Sequence, residues 1–395
     1  MTTSEPPAFP FDQPDLLAAP PLLRRLHERG PITRVRTPTG DEAWLVTGYE
    51  EVRRLLADDR LGLSHPDPDR APRMSESVFF GPTGNHDTDQ ADRARMRAVL
   101  MPYFSARRMR VLRVRVEAIA RELLEDVAAS RPPVDLHEAL AVPLPLSVIC
   151  ELLGVPYEHR PEFRRWAHGI GDARDGAASQ AALAELYAYI LDLVRAKRAD
   201  PGDDVLSGLI TAEDGTLGDD FIAMLGTMLL FAGHDTTVSA LDYTMLLMLT
   251  HPEQRRAVAE DPGLIPHAVE EILRASNTGA GGVLRYARQD LELGGVRVRA
   301  GELLLLNNGA ANHDESVFPD SDTFDIGRRP ASPHVTFGYG PHYCLGAVLA
   351  RIELQAALAE LVRCLPGARL AVPVERLRVR SDQLTGGLAE LPVTW

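Results

Sequence analysis

Cysteine is scarce in this sequence. The 395 residues include three, Cys150, Cys344 and Cys364, too few and too scattered for a disulfide framework or a zinc site. That usage leads us to expect a reducing cytoplasm. Long apolar runs are also missing. No stretch reaches about 18 uninterrupted apolar residues, so no membrane-spanning helix is expected. Met1 to Asp15 is polar and proline-rich, with neither a basic n-region nor an apolar h-region, so no secretory leader is expected. Positive charge is in deficit. Lys and Arg number 42 against 56 Asp and Glu, a formal charge of −14, which argues against general nucleic-acid binding. No Ser/Gly linker, charge block or internal repeat marks a boundary. At about 150 residues per domain the length would allow two or three; a single mostly helical domain over residues 1–395 is expected instead.

The composition, 45% apolar and 25% charged, is that of an ordinary globular protein. Its most informative stretch runs from His334 to Arg351. Gly338, Gly340 and Pro341 punctuate a loop there, and Leu345 to Leu361 has the apolar spacing of a helix. Cys344 thus falls at or just before a helix N-terminus, where unpaired N–H groups and the positive end of the macrodipole favour a thiolate. The glycines permit turns that side chains forbid and allow something flat to approach closely. Phe337 can wall one side of the sulfur. A buried structural cysteine in a glycine-rich turn is the plainer reading of these residues taken alone.

Elsewhere the pattern alternates between short strands and helices. Pro20 to Arg29 reads as a helix, and Ile32–Arg36 and Ala43–Thr47 as a hairpin around Pro38–Gly40. Thr47 could cap a helix from Tyr49 to Ala57. Asp59 to Asp92 reads as a long loop. Arg93 to Val127 is helical with a break near Pro102 to Ser105, where Ser105 is a plausible N-cap. Arg93, Arg95, Arg97, Arg107, Arg108, Arg110, Arg113 and Arg115 occur with no acidic residue among them, a local inversion of charge that reads as a solvated face or as a docking patch. Pro161–His168 and Ala181–Arg198 read as helices around a polar break at Gly169–Ala178.

Asp219 to Thr250 is the longest periodic segment, nearly 50 Å at about 1.5 Å per residue. Within it lies Phe231-Ala-Gly-His-Asp-Thr-Thr. A mid-helix glycine costs roughly 1 kcal/mol against alanine, and burying Asp235 and Thr236 is costly unless both are hydrogen-bonded. By themselves these residues fit a helix in which Thr236 bonds back to a carbonyl and Asp235 lies at the surface. Glu271 and Arg274, three apart on the helix Pro266–Ala275, share a face.

Phe337-Gly338-x-Gly340-x-His342-x-Cys344-x-Gly346 resembles the heme-binding loop of the cytochrome P-450 family. The resemblance extends over nearly the whole chain. It implies a mainly α fold with small β-sheets, built on a long central helix and a cysteine loop over heme b. Cys344 would be the axial thiolate. Phe337, His342 and Gly346 would complete the loop. Arg97, Arg285 and His342 would hold the propionates, with Arg93 in a position where the family usually has His. Ala232-Gly233-His234-Asp235-Thr236 matches the oxygen-activation motif. By that likeness Ala232 and Gly233 let the helix bulge, Thr236 holds the oxygen species and a water, Asp235 feeds protons inward, and His234 is variable. Glu271, Arg274 and Arg328 would form a structural charge network under the cysteine loop. Ser276–Val283, which departs from the family's proline-containing turn, and Gln383–Leu388 would line the pocket. The Gly169–Ala178 break and its flanking helices would form the lid.

The implied activity is insertion of one oxygen atom from O2 into a small organic substrate. Two electrons would come from NAD(P)H through a ferredoxin reductase and an acidic ferredoxin, received at the arginine run. The segment pattern looks like that of actinobacterial members from antibiotic and terpenoid pathways. Hydroxylation or epoxidation of a polyketide-, peptide- or terpene-derived intermediate is therefore expected. Oxidative ring closure, coupling or rearrangement is the alternative. A catalytically silent heme-binding relative is a third reading; intact Cys344, Asp235 and Thr236 weigh against it.

Overall fold

The computed structural model describes residues 5–276, 282–329 and 333–395. In chain order, α1 (Pro21–Arg29) precedes the hairpin β1 (Ile32–Arg36) and β2 (Glu42–Val46), then α2 (Tyr49–Leu56) and β3 (Leu61–Gly62). Next come α3 (Asp89–Leu100), α4 (Ala106–Ala129), β4 (Val134–Asp135), α5 (Pro143–Leu153), α6 (Arg160–Gly171), α7 (Gly176–Ala199) and α8 (Val205–Thr211). After α9 (Asp219–Thr250), α10 (Pro252–Glu260) and α11 (Ile265–Ala275) come β5 (Val283–Ala287), β6 (Leu291–Leu293), β7 (Val296–Val298) and β8 (Leu303–Leu306). The chain closes with α12 (Asn308–Asn312), α13 (Ala347–Cys364), β9 (Arg369–Leu370) and β10 (Pro392–Thr394). The architecture is mainly helical with small sheets, as expected.

Of two capping expectations, one fails and one holds for position alone. The Thr47 hydroxyl donates to the Pro31 carbonyl at 3.3 Å, and Gly48 takes the position before α2. The Tyr49 N–H donates instead to Asp314 Oδ2 at 2.9 Å. A carboxylate satisfies that donor and complements the helix dipole better than a hydroxyl would. Ser105 does occupy the N-cap of α4, but its side chain makes no capping bond. The break between α6 and α7 is narrower than its composition suggested, only Asp172–Asp175.

The chain divides into two compact units. The first comprises the residues up to Arg93 together with Glu270–Cys344, and the second Ala94–Val269 with Leu345–Trp395. In the first, the sheet order is β1-β2-β8-β5-β3, with β2 and β8 parallel (Ala43 beside Leu303) and the other pairs antiparallel. Leu303 to Leu306 are all fully buried. Alternate residues face opposite sides of a strand, so Leu303 and Leu305 join a core with Leu23 and Leu26 of α1, while Leu304 and Leu306 join another with Tyr49, Val52 and Leu55 of α2. A strand covered on both faces reads as an unbroken apolar run, which is why Leu-Leu-Leu-Leu is a strand here.

In the second unit α9 packs against α5, α6, α7 and α13. α9 is long and apolar enough to cross a membrane by length and composition, although its apolar run is interrupted; it is a core helix with Leu225, Leu230, Leu241 and Met248 buried. Its glycines serve close packing. A Cβ at Gly226 would come within 2.9 Å of Ile190 in α7, and one at Gly233 within 3.1 Å of Ile149 in α5.

Candidate functional site

In the first unit the cysteine loop is a sequence of tight turns. Gly338 N–H donates to Val335 O at 2.9 Å, Tyr343 N–H to Gly340 O at 3.1 Å, and Cys344 N–H to Phe337 O at 2.8 Å. Gly338 and Gly340 both have positive φ, +77° and +69°, where a side chain is strained. At Gly340 a Cβ would also lie 2.8 Å from the Cβ of Ala57. The loop therefore needs both glycines. It presents Cys344 exposed, three residues before α13, with Phe337 and His342 half-buried beside it. Gly346, in the second unit, is the N-cap of α13.

A polar scaffold holds the start of this loop. Arg274 is 1% exposed and makes paired bonds to Glu271, Nε to Oε2 and Nη2 to Oε1, both 2.8 Å. Arg328 Nε reaches Glu271 Oε1 at 3.1 Å, which completes the three-membered network. Arg274 Nη1 donates further to the carbonyls of Asn312 (3.0 Å) and Ser321 (2.8 Å). Asn312 accepts the Val335 N–H and donates to Thr336 Oγ1, both at 2.8 Å, while Thr336 Oγ1 donates to Leu273 O at 2.7 Å. Asn312, overlooked in the sequence, is thus the link between the charge network and the loop. An isolated asparagine in Ala-Ala-Asn-His carries no local signal of that role.

Arg93 and Arg285 lie in the same unit. Arg93 Nε donates to Asp89 at 2.5 Å, and Asp89 also accepts from the Leu63 N–H and the Ser64 hydroxyl, both at 3.0 Å. Arg285 is 6% exposed, and its Nη1 donates to the carbonyl of its neighbour Leu284. Burial lowers its pKa to about 10, and the Arg93 charge pushes the same way while Asp89 opposes. Two guanidinium groups close enough to repel, one of them buried, make an environment that an anionic group would relieve. Arg97, on the part of α3 in the second unit, is half-buried. Residues 277–281 of the Ser276–Val283 turn lie outside the described residues.

In the second unit α9 is an unbroken helix through Ala232-Gly233, rather than a locally widened one. Met228, Ala232 and Thr236 are exposed at i, i+4 and i+8, one open stripe on an otherwise buried helix. The Thr236 hydroxyl donates to Ala232 O at 2.7 Å. Asp235 and His234 face away and are each 5% exposed, so Asp235 is not at the surface. Burial drops His234 to about 4, so the ring is neutral near pH 7. Both line a polar cavity of about 520 Å³, with Arg164, His168, Arg380 and Gln383 among its walls. The Thr385 hydroxyl donates to Asp235 Oδ2, and Arg380 Nη2 lies 3.5 Å from Oδ1. Thr385 belongs to the Gln383–Leu388 turn but was not singled out in the sequence, because its partner is distant along the chain.

Most of the arginine run is engaged. Arg95 lies over the Phe221 ring at 4.9 Å, and Arg113 and Arg115 pair with Glu117 (3.6 Å) and Glu151 (2.8 Å). Arg108 lies 3.8 Å from Asp203. Among the described residues Arg107 and Arg110 have no ion pair. Both are exposed, beside Val111 and Val114, which are 72% and 69% exposed.

Comparison with known proteins places these features in context. The cytochrome P450 family model matches residues 172–262 and 263–365. The chain is 45% identical to pentalenolactone synthase of Streptomyces exfoliatus, covering 99% of this chain and 100% of that protein. It is 41% identical to mycinamicin IV hydroxylase/epoxidase of Micromonospora griseorubida, with both chains fully covered. Its structure is similar to substrate-free PimD, a polyene macrolide antibiotic pimaricin epoxidase, with a TM-score of 0.89 and 41% identity over 100% of each chain.

Proposed function

Because this chain belongs to the cytochrome P450 family, and is therefore a heme-dependent monooxygenase, we propose that it hydroxylates or epoxidises a polyketide-, peptide- or terpene-derived intermediate of secondary metabolism. The observation that carries this reading is the full-length identity of 41% with an enzyme named for both of those oxidations. Oxidative ring closure, coupling or rearrangement is the second reading, because a relative at 45% identity is named a synthase.

The residues present suit heme. An exposed cysteine on a rigid loop can supply the thiolate, and the repelling Arg93–Arg285 pair suits a propionate. In this proposal Cys344 ligates the iron; Arg97, Arg285 and His342, with Arg93, hold the propionates; and Phe337, Gly346, Ala232 and Gly233 border the ring. Bound there, the heme supplies dioxygen activation, with thiolate ligation pushing electron density toward O–O cleavage. The protein supplies the protons. The Thr236 hydroxyl donates to Ala232 O and keeps lone pairs to accept from a second donor. One residue earlier, about 100° around the helix, Asp235 faces the polar cavity and can draw protons from water as a general acid. The two units would serve as one catalytic domain in the cytoplasm, with no membrane or nucleic-acid partner.

Screening compounds for a shift of the Soret band, then turning over each hit with NAD(P)H, ferredoxin reductase and ferredoxin, tests the reading. A product heavier by one oxygen is expected. A product with two hydrogens fewer and no added oxygen favours the second reading. For the hit so identified, Thr236→Ala is expected to bind heme and substrate normally, but to form several-fold less product per NAD(P)H and to release hydrogen peroxide. An unchanged ratio removes Thr236 from the mechanism.

The electron donor in this proposal is an acidic ferredoxin that docks at Arg107 and Arg110, two exposed arginines of the run with no ion pair among the described residues. Exposed charges steer association and are screened beyond a Debye length of about 8–10 Å. The reduction rate is expected to fall as salt rises, and Arg107→Glu or Arg110→Glu to flatten that dependence. Arg115→Glu, already tied to Glu151, should flatten it less. A salt-independent rate removes the docking role.

A further inference from the structure

The turn from Arg380 to Leu388 is bonded on two sides. On one side it lies along α9. Asp235, Ser239 and Asp242 are spaced i, i+4 and i+7, on one face of that helix. The Thr385 hydroxyl donates to Asp235 Oδ2, the Ser239 hydroxyl donates to Thr385 O at 3.2 Å, and the Leu388 N–H donates to Asp242 Oδ2 at 3.0 Å. Gly387, with φ of +83°, lets the turn sit flush: a Cβ there would lie 3.1 Å from Asp242 Oδ2 and 3.3 Å from Ser239 Cα. On the other side the turn is joined to the connection between α6 and α7. Leu384 N–H donates to Gly171 O at 3.0 Å and Ala173 N–H to Asp382 O at 2.8 Å, while Gln383 pairs with Asp172 as an antiparallel bridge.

Behind the turn lies the polar cavity. Among the described residues, five buried atoms on its walls have no hydrogen-bond partner: His234 Nδ1, Arg380 Nε and Nη2, and Gln383 Oε1 and Nε2. Buried donors and acceptors of this kind are satisfied by ordered water, and the cavity is large enough to hold it. Asp235 therefore faces a cavity able to hold water on the side where Thr385 holds it.

We propose that Thr385 is a positioning residue that holds the Asp235 carboxylate for proton uptake from this cavity, and that its turn ties this positioning to the α6–α7 connection. The inference rests on the proton role given to Asp235 above. A carboxylate held by a hydroxyl at one oxygen keeps the other for water and Arg380. Without that bond it rotates, and small misplacements of a reacting group are costly in rate. Because the same turn bonds to residues 171–173, a shift of that connection displaces Thr385.

The test uses the holoenzyme with NADPH, dioxygen, a plant-type ferredoxin and its reductase, and no added substrate. Electrons then reduce dioxygen either to hydrogen peroxide, with two protons, or to water, with four. The peroxide formed per NADPH and the solvent deuterium effect on NADPH oxidation both report proton supply. Thr385→Val is expected to at least double the peroxide fraction and to change the isotope effect in the direction of Asp235→Asn, and Thr385→Ser to restore both. Heme content and the CO spectrum check integrity; if Thr385→Val gives no holoprotein, Thr385→Ala carries the same test. Hydrogen exchange in peptides spanning 169–176 is expected to speed several-fold in Thr385→Val. Parental values for Thr385→Val beside altered ones for Asp235→Asn overturn the positioning role. Parental values for Asp235→Asn overturn the proton role itself, and this inference with it. Unchanged exchange over 169–176 overturns the tie to the α6–α7 connection.

Discussion

Cys344→Ser is expected to abolish the red-shifted Soret band of the reduced, CO-bound protein, the band from which the family takes its name. Serine keeps the size and turn preference of cysteine at this position but supplies no anionic sulfur. The loop should still form, since its bonds run through the backbone of Val335, Phe337, Gly340 and Cys344. Neither other cysteine can substitute. Burial pushes the Cys150 thiol up to about 12, so it stays protonated. Cys364 is raised as well, first by burial and then by the carboxylates of Glu360 and Glu125, with Arg363 opposing. The variant should therefore bind heme weakly or with an oxygen or histidine ligand, and monooxygenase turnover should be lost. Recording the reduced CO spectrum beside the parent decides it. A persisting band would mean that the thiolate comes from elsewhere.

Arg274→Leu is expected to cost more stability than any surface change in the first unit. Removing one partner of a buried pair typically costs about 3–5 kcal/mol, because the other charge is left buried. Glu271, 5% exposed, would keep, among the described residues, Arg328 and the Asp325 N–H. The loss goes beyond the pair. Arg274 also donates to the Asn312 and Ser321 carbonyls, and each buried acceptor left unpaired costs about 1–3 kcal/mol. Replacing both members, Glu271→Leu with Arg274→Leu, should recover only part of the loss, since those carbonyls stay unpaired. Against a typical total of about 5–15 kcal/mol, the single change should unfold a sizeable fraction of the protein or lower its melting temperature sharply. Heme retention should fall with it, because Asn312 hands the network on to Val335 and Thr336. Denaturant unfolding of the parent, single and double variants measures the effect. A single variant within 1 kcal/mol of the parent would show that the network is dispensable.

The cysteine loop, the long helix and the Glu271–Arg274 pair were legible because each is carried by local spacing; Arg328, distant along the chain, came from the family resemblance. Glycines at Gly338 and Gly340 mark positive φ, and a 3.6-residue period marks α9. The three-residue gap from Glu271 to Arg274 puts both on one face of α11. Partner choice was not legible in this way. Thr47 and Asp314 both offer oxygens, but folding brings Asp314 to Tyr49. Arg93, the first of the eight arginines, meets Asp89 one helical turn back, a residue that read as part of the preceding loop, and the fold places Arg285 within reach of its charge.

What the sequence alone determined was the chemistry: one cysteine in a glycine-built loop, an acid and an alcohol side by side on an apolar helix, and arginines to spare for anions. Those signals lie within a few residues of each other, where turn geometry and helical period act directly. What only the tertiary structure decided was the direction each group faces. Thr236 lies on the exposed stripe of α9 and Asp235 on its buried side, although they are neighbours. Whether a helix face is covered depends on helices and turns distant in sequence, and Thr385 reaches Asp235 from 150 residues further on. No local pattern encodes that encounter, because it is set by how the C-terminal turn packs against the core helix.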